Sequence, residues 1–196
     1  MIVIGLTGSI GMGKSTVARM MEKLGCAIHD SDKAVHEALS PTGEAFEEVA
    51  VTFPACWEKK THTINKKILA DIIFNDPAKK QELEDILHPI VQRSQKKFIQ
   101  KQQRLGREVV VLDIPLLFET GAENRVDYTF VASAPYHIQR RRVLSRPNMT
   151  EEKFEAILSA QMSDHEKRIR ADFVIPTGLG LAYTHKILKQ SLGSIL

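Results

Sequence analysis

The segment Gly5-Leu-Thr-Gly-Ser-Ile-Gly-Met-Gly-Lys-Ser-Thr16 constrains this chain more than any other. Within it, Gly8 to Ser15 fits the spacing G-x-x-x-x-G-K-[ST]. A short β-branched run, Ile2-Val3-Ile4, precedes it and has the composition of a strand buried on both faces. After it, Val17, Met20, Met21 and Leu24 fall at i, i+3, i+4 and i+7, one face of a helix. The chain therefore opens as strand, glycine-rich turn and helix, which commits it to an α/β layout.

The residue types in the turn suit one ligand chemistry. Gly8, Gly11 and Gly13 admit backbone conformations closed to other residues, so successive N–H groups, that of Met12 among them, can turn around an anion. The turn runs into a helix N-terminus, where unpaired N–H groups and the positive end of the dipole favour a phosphate. Lys14 is placed to reach β and γ phosphates, Ser15 to join the coordination shell of Mg²⁺, and Thr16 to meet the α phosphate. This is a P-loop, and a nucleoside triphosphate with Mg²⁺ is the expected ligand pair. Taken alone it leaves kinase, switch GTPase, motor ATPase and non-catalytic binding module open.

The 196 residues suffice for one domain with a proper core and room for an inserted subdomain. A net charge of +3 suits anionic small molecules and falls short of a nucleic-acid footprint. The two cysteines, Cys26 and Cys56, lack C-x-x-C spacing, which points to a reducing compartment and no structural zinc. Gly5 interrupts the first apolar run, no basic segment precedes it, and no window reaches eighteen apolar residues. A cytosolic protein without a membrane partner is expected.

Further along, Cys26 to His29 reads as a second strand running into Asp30-Ser31-Asp32, at the sheet edge where ligands of α/β proteins sit. One aspartate suits a helix N-cap, the other a catalytic carboxylate. From residue 40 to 107 Lys, Glu and Gln dominate with helical periodicity, and Asn65 to Asn75 and Ala78 to Arg104 are predicted helices, the second broken or kinked near His88 by Pro89. This segment is predicted to be a helical subdomain inserted between core segments 1–39 and 108–196. Glu108 to Asp113 is a third buried strand ending in an acid, and Asp113 is expected to hold Mg²⁺ through water. The apolar Ile114 to Glu119, loop-like at Pro115, either lines the crevice or packs in the core. Asp127 to Val131 and Asp172 to Pro176 complete five strands, and Ala182 to Ile195 a closing helix. Gln139-Arg-Arg-Arg142 and Arg146, without interleaved aromatics, suit arginine forks over ATP phosphates better than a nucleic-acid platform. With a helix over Met149 to Met162 capped by Thr150, they form a predicted lid over residues 140–165 that excludes water.

These segments, in this order and spacing, resemble the dephospho-coenzyme A kinase family from Ile4 to about Gly178. The resemblance rests on the P-loop segment, Asp30-Ser-Asp32, Leu87-His-Pro89, Pro115-Leu-Leu-Phe-Glu119, Gln139 with Arg142 and Arg146, Gln161, and Ala171-Asp-Phe-Val-Ile175. It implies a P-loop fold with a five-stranded parallel sheet flanked by helices, and transfer of the ATP γ-phosphoryl group to the ribose 3′-hydroxyl of dephospho-coenzyme A. By the same resemblance Asp32 accepts the hydroxyl proton, Lys14, Arg142 and Arg146 neutralise charge on the transferring group, and His88 and Leu117 help to hold the acceptor. Two positions depart from the family pattern: Pro176-Thr177 stands where members often carry Asn after the fifth strand, and Ser9 replaces a second loop glycine. A nucleoside monophosphate kinase would share the fold and differ in its acceptor pocket, and a binding module would share the P-loop without turnover. A switch GTPase fits poorly, because Asp113 is not followed by x-x-Gly and Asn65-Lys66 lacks the Asp that reads guanine.

Overall fold

The apolar run at the N-terminus becomes the middle strand of a sheet, with the glycine loop at its carboxyl end. In the computed structural model, which describes residues 1–196, the chain begins β1 (Ile2–Thr7), α1 (Lys14–Lys23), β2 (Ala27–Asp30), α2 (Ser31–Ala38) and α3 (Phe46–Thr52). There follow β3 (Trp57–Glu58), β4 (Thr63–Ile64), α4 (Lys66–Asn75), α5 (Pro77–Arg104), β5 (Val109–Asp113) and β6 (Tyr128–Ser133). The remainder is α6 (Tyr136–Leu144), α7 (Glu151–Ser159), α8 (Asp164–Arg170), β7 (Phe173–Pro176) and α9 (Leu181–Gly193). No helix is long and apolar enough to cross a membrane.

Five parallel strands form one sheet in the order β2-β5-β1-β6-β7. After β1 the chain builds first on one side and then on the other, so the order reverses at β1, where open α/β sheets bind ligands. Ile4 lies opposite Val111 on one side and Tyr128 on the other, and Leu6 opposite Asp113 and Phe130. This register brings the acid that ends β5 level with the end of β1. Ile4, Leu6, Val17, Met21, Val111, Phe130, Ile175 and Leu188 pack as the buried core between sheet and helices. The acids flanking the strands fix their ends: Asp127 accepts from the Val3 N–H at 2.8 Å, and Asp172 from both the N–H and the hydroxyl of Thr129 at 2.7 Å.

The chain divides into two compact units, one of Met1–His29 with Gln102–Leu196 and one of Asp30–Lys101. The composition change falls at Ser40, yet the second unit begins at Asp30, because α2 carries Ala38 and Leu39 into that unit's own core with Phe46, Val49, Phe53, Cys56, Leu69, Leu83 and Leu87. Gln95 of α5 also donates to the buried Ser31 hydroxyl of α2 at 3.0 Å. Helices α4 and α5 stand where the periodicity places them, and Asn65 caps α4 by accepting from the N–H groups of Lys67 and Ile68.

Two features of this unit differ from the sequence expectation. A two-residue antiparallel pair, β3 with β4, occupies a stretch read as purely helical, too short to leave an alternating pattern. Pro89 does not break α5, which runs unbroken for 28 residues. The carbonyl that loses its partner belongs to Asp85, an exposed residue, so water can satisfy it and the helix tolerates the proline. In the first unit, the single helix expected over Met149 to Met162 is shorter and is followed by α8. Ser163 accepts from the Glu166 N–H while Glu166 reaches back to the Ser163 N–H, a capping box that starts this extra helix.

Candidate active site

The loop between β1 and α1 owes its path to glycine. Gly11 and Gly13 take φ of 75° and 90°, and a Cβ on Gly11 would fall 2.5 Å from Val143 Cγ2 and 3.0 Å from the Gln139 carbonyl oxygen. Gly13 precedes the first residue of α1, so Lys14, Ser15 and Thr16 form the first helical turn, with their N–H groups at the positive end of the dipole. The side chain of Met12 is buried and its sulfur accepts from the Ala134 N–H at 3.2 Å, leaving only its backbone to the loop surface.

Lys14 leans across to β5, where its Nζ lies 2.5 Å from Asp113 Oδ1. Asp113 is only 8% exposed as a residue, at the end of a strand whose residues are all buried. P-loop lysine and strand-end acid thus meet within one unit, beside the exposed Ser15. No group of three or more His, Cys, Asp or Glu side chains is placed to hold a metal on its own.

Three consecutive loop carbonyls are held from behind. Gln139 Nε2 donates to the Ile10 oxygen at 2.8 Å, Arg142 Nη1 to the Gly11 oxygen at 3.3 Å, and Thr177 Oγ1 to the Met12 oxygen at 2.6 Å. The Ile10 N–H donates to Gln161 Oε1 at 3.1 Å. Arg142 also donates to Thr177 Oγ1 at 3.0 Å and to its carbonyl at 2.6 Å.

The arginine cluster accordingly divides by role. Arg142, expected over the phosphates, packs behind the loop because its guanidinium finds three fixed acceptors there. Arg140 pairs with Glu151 across α6 and α7 at 2.5 Å, and Arg146 lies exposed just past the end of α6. A cavity of about 260 Å³, lined by Ser9, Met12, Tyr136, Gln139, Leu158 and Asp164, separates the loop from α7. Burial pushes the Asp164 carboxyl up, against the hydrogen bond from Ser133.

The segment after β5 resolves towards the core. Leu117 is wholly buried and both its Cδ atoms stand 3.0 Å from where a Cβ on Gly5 would lie, so it fills the space beside β1 and offers no surface to an acceptor. Pro115 and Leu116 are half-buried, and Glu119 and Thr120 at the far end of the turn are exposed. Sequence reasoning missed a buried lysine and its ion pair: Lys167 Nζ, with a fully buried side chain, reaches Oε1 of the partly exposed Glu119 side chain at 2.8 Å and the Pro115 oxygen at 3.3 Å. Glu119 also accepts from the Met162 N–H at 2.9 Å. Lys167 carried no signal, since a lysine on a charged helix ordinarily points to water.

In the second unit, Asp30 is the N-cap of α2 and accepts from the Lys33 N–H at 2.9 Å, while Asp32 lies exposed in the first turn. His88 is half-buried on α5.

A family model described as dephospho-CoA kinase matches residues 2–181. The dephospho-CoA kinase of Agrobacterium fabrum is 47% identical over 192 residues, covering 98% of this chain and 97% of that protein. That of Bartonella quintana is 45% identical over 196 residues, covering 100% and 99%. Among solved structures, one from Thermus thermophilus has a TM-score of 0.88 at 33% identity, covering 100% of this chain and 97% of that one. A dephospho-CoA kinase from Campylobacter jejuni has a TM-score of 0.72 at 28% identity, covering 98% and 96%. With the P-loop, the strand-end acid and the sheet order all in place, the chain belongs to the dephospho-CoA kinase family.

Proposed function

We propose that the chain performs its family's reaction, transfer of the γ-phosphoryl group of ATP to the ribose 3′-hydroxyl of dephospho-coenzyme A, the last step of coenzyme A synthesis. The observation that carries the nucleotide half is the Lys14–Asp113 contact at the mouth of a glycine loop whose carbonyls are tied back. Lys14 binds the β and γ phosphates, the N–H groups of Gly11, Gly13, Lys14 and Ser15 supply the rest of the cradle, and the Thr16 hydroxyl donates to the α phosphate.

Asp32 accepts the proton of the 3′-hydroxyl as its oxygen bonds to the γ phosphorus and the bond to the ADP oxygen breaks. It sits two residues past the end of β2, in the first turn of α2, and its exposure leaves it accessible to a substrate hydroxyl. The residues fit Mg²⁺ as a companion of the nucleotide: the Ser15 hydroxyl and the Asp113 carboxylate are oxygen donors flanking Lys14, and phosphate oxygens and water would complete the shell. When bound there, the metal would supply neutralisation of the phosphate charge. Arg146 adds positive charge from the lid, and the cavity beneath α7 leaves room for that helix to close and exclude water. His88 and the Leu116 surface are the acceptor contacts of this reading. Both cysteines are free and buried, which fits a cytoplasmic location.

The test is ATP consumption with Mg²⁺ in the presence of dephospho-coenzyme A, AMP, CMP or adenosine, with the product weighed by mass spectrometry. Phosphorylation of dephospho-coenzyme A alone is expected. Turnover of a monophosphate in its place, or of no acceptor, overturns the assignment.

A further inference from the structure

We infer that Thr177, Gln139 and Arg142 form a clamp that presets the P-loop for a phosphate chain, with Thr177 as its centre. The inference rests on the nucleotide-binding half of the proposed function and assigns Thr177 a positioning role. In a trans peptide, the carbonyl of one residue and the N–H of the next point to opposite sides. Drawing back the oxygens of Ile10 and Met12 therefore aims the N–H groups of Gly11 and Gly13 forward, away from Gln139 and Thr177. The Met12 N–H is taken by the Ser9 oxygen at 3.1 Å, which tightens the turn between them. Without these ties, glycine's freedom would let the same peptides flip, and each flip would present an oxygen to the phosphate.

The hydroxyl of Thr177 is positioned to work as a relay. It accepts from the Arg142 guanidinium at 3.0 Å and donates to the Met12 oxygen at 2.6 Å, so a charged donor polarises the O–H that restrains the loop. Its own N–H is fixed to the Ser133 oxygen at 2.8 Å, at the end of β6, and it is 8% exposed. A Cβ on Gly13 would lie 3.0 Å from this hydroxyl, so the loop and Thr177 are in van der Waals register. Gln139, 3% exposed, repeats the arrangement one turn of loop earlier, with its amide fixed by burial in α6. All these contacts lie within one compact unit. Thr177 occupies the stretch after the last strand where family members often carry Asn, and its side chain is spent on the loop.

Binding measurements on Thr177→Val and Thr177→Ser test the clamp, because valine keeps the shape and loses the hydroxyl whereas serine keeps the hydroxyl. Calorimetry with ADP and, separately, with inorganic tripolyphosphate reads the loop without an acceptor and so stands apart from the identity of the reaction. Thr177→Val is expected to weaken both ligands by about tenfold, the effect of one charge-assisted hydrogen bond, and Thr177→Ser to stay within about threefold of the parent. Gln139→Met, which preserves volume in the same cluster, is expected to weaken tripolyphosphate in the same direction and covers the case in which Thr177→Val does not fold. Equal affinities for Thr177→Val and Thr177→Ser, or a loss for ADP with tripolyphosphate untouched, would overturn the clamp, the second outcome placing Thr177 at the nucleoside instead.

Discussion

Lys14 Nζ stands 2.5 Å from Asp113 Oδ1, so the P-loop lysine rests on the acid at the end of the neighbouring strand. The two side chains are 16% and 10% exposed. A lysine held by a partner in this way loses less rotamer freedom on binding a ligand, and the carboxylate remains beside it as an oxygen donor.

Two substitutions separate these roles. Lys14→Ala removes a preorganised positive charge, and kcat is expected to fall on the order of 10²-fold or more. Asp113→Asn keeps the shape and removes the negative charge, so the Mg²⁺ concentration for half-maximal activity should rise while metal-free ADP binding changes little. A titration of activity against Mg²⁺ for the Asp113→Asn protein, set beside ADP calorimetry in chelator, checks both; an unchanged metal requirement would remove Asp113 from the metal's shell.

Asp32 carries a different burden, since it belongs to α2 and not to the phosphate cradle. Asp32→Asn should leave ATP affinity within about twofold and lower kcat by roughly 10²- to 10⁴-fold, the range for loss of a general base. Stopped single-turnover measurements and calorimetry distinguish the two effects. Weakened ATP binding at normal kcat would assign Asp32 to binding and leave the proton without an acceptor.

Leu117 is core, and its removal should read as instability. Leu117→Ala takes a fully buried side chain from beside Gly5 and is expected to cost about 2–5 kcal/mol in urea denaturation, with KM for dephospho-coenzyme A unchanged in the folded fraction. Leu116→Ala, at the half-buried surface, is expected to raise that KM with little loss of stability. The reverse pattern would restore Leu117 to the acceptor pocket.

Much of this layout was legible because its signals are local. Glycine spacing, the Ile2-Val3-Ile4 and Val109-Val-Val111 runs, and the Asp30 and Thr150 caps each act over a few residues, and each stands where the sequence predicts. What escaped depends on partners far along the chain. Arg142 sits behind the loop because Gly11 and Thr177, 131 and 35 residues away, offer it oxygens, and no helical period encodes that. Leu117 reads equally well as crevice or core until β1 supplies a glycine to pack against. Pro89 shows the opposite limit: of the two outcomes it allows, a break does not occur, since a local rule for helix ends yields where the lost bond faces water. The Ser163-x-x-Glu166 box was visible in the sequence and marks α8 once a second lid helix is considered.

Lys167 gives the last prediction, and it concerns how the lid is hinged. Its buried ammonium is compensated by Glu119 and the Pro115 oxygen, and the same Glu119 oxygen holds the Met162 N–H between α7 and α8. Glu119→Gln leaves the buried ammonium without its counter-charge; because the Glu119 side chain is 19% exposed, the expected loss lies below the roughly 3–5 kcal/mol of a fully buried pair. Replacing both, with Glu119→Gln and Lys167→Met together, removes the stranded charge, so part of that loss should return and the two single effects should not add. Chemical denaturation of the two single variants and the double variant measures the coupling directly. Additive losses would mean that the pair is screened and that Glu119 acts through Met162 alone; a double variant more stable than either single one, with a lower KM for ATP than Glu119→Gln, is expected because the hinge is then relieved of an unpaired charge beside the segment that carries Gln161 to the loop.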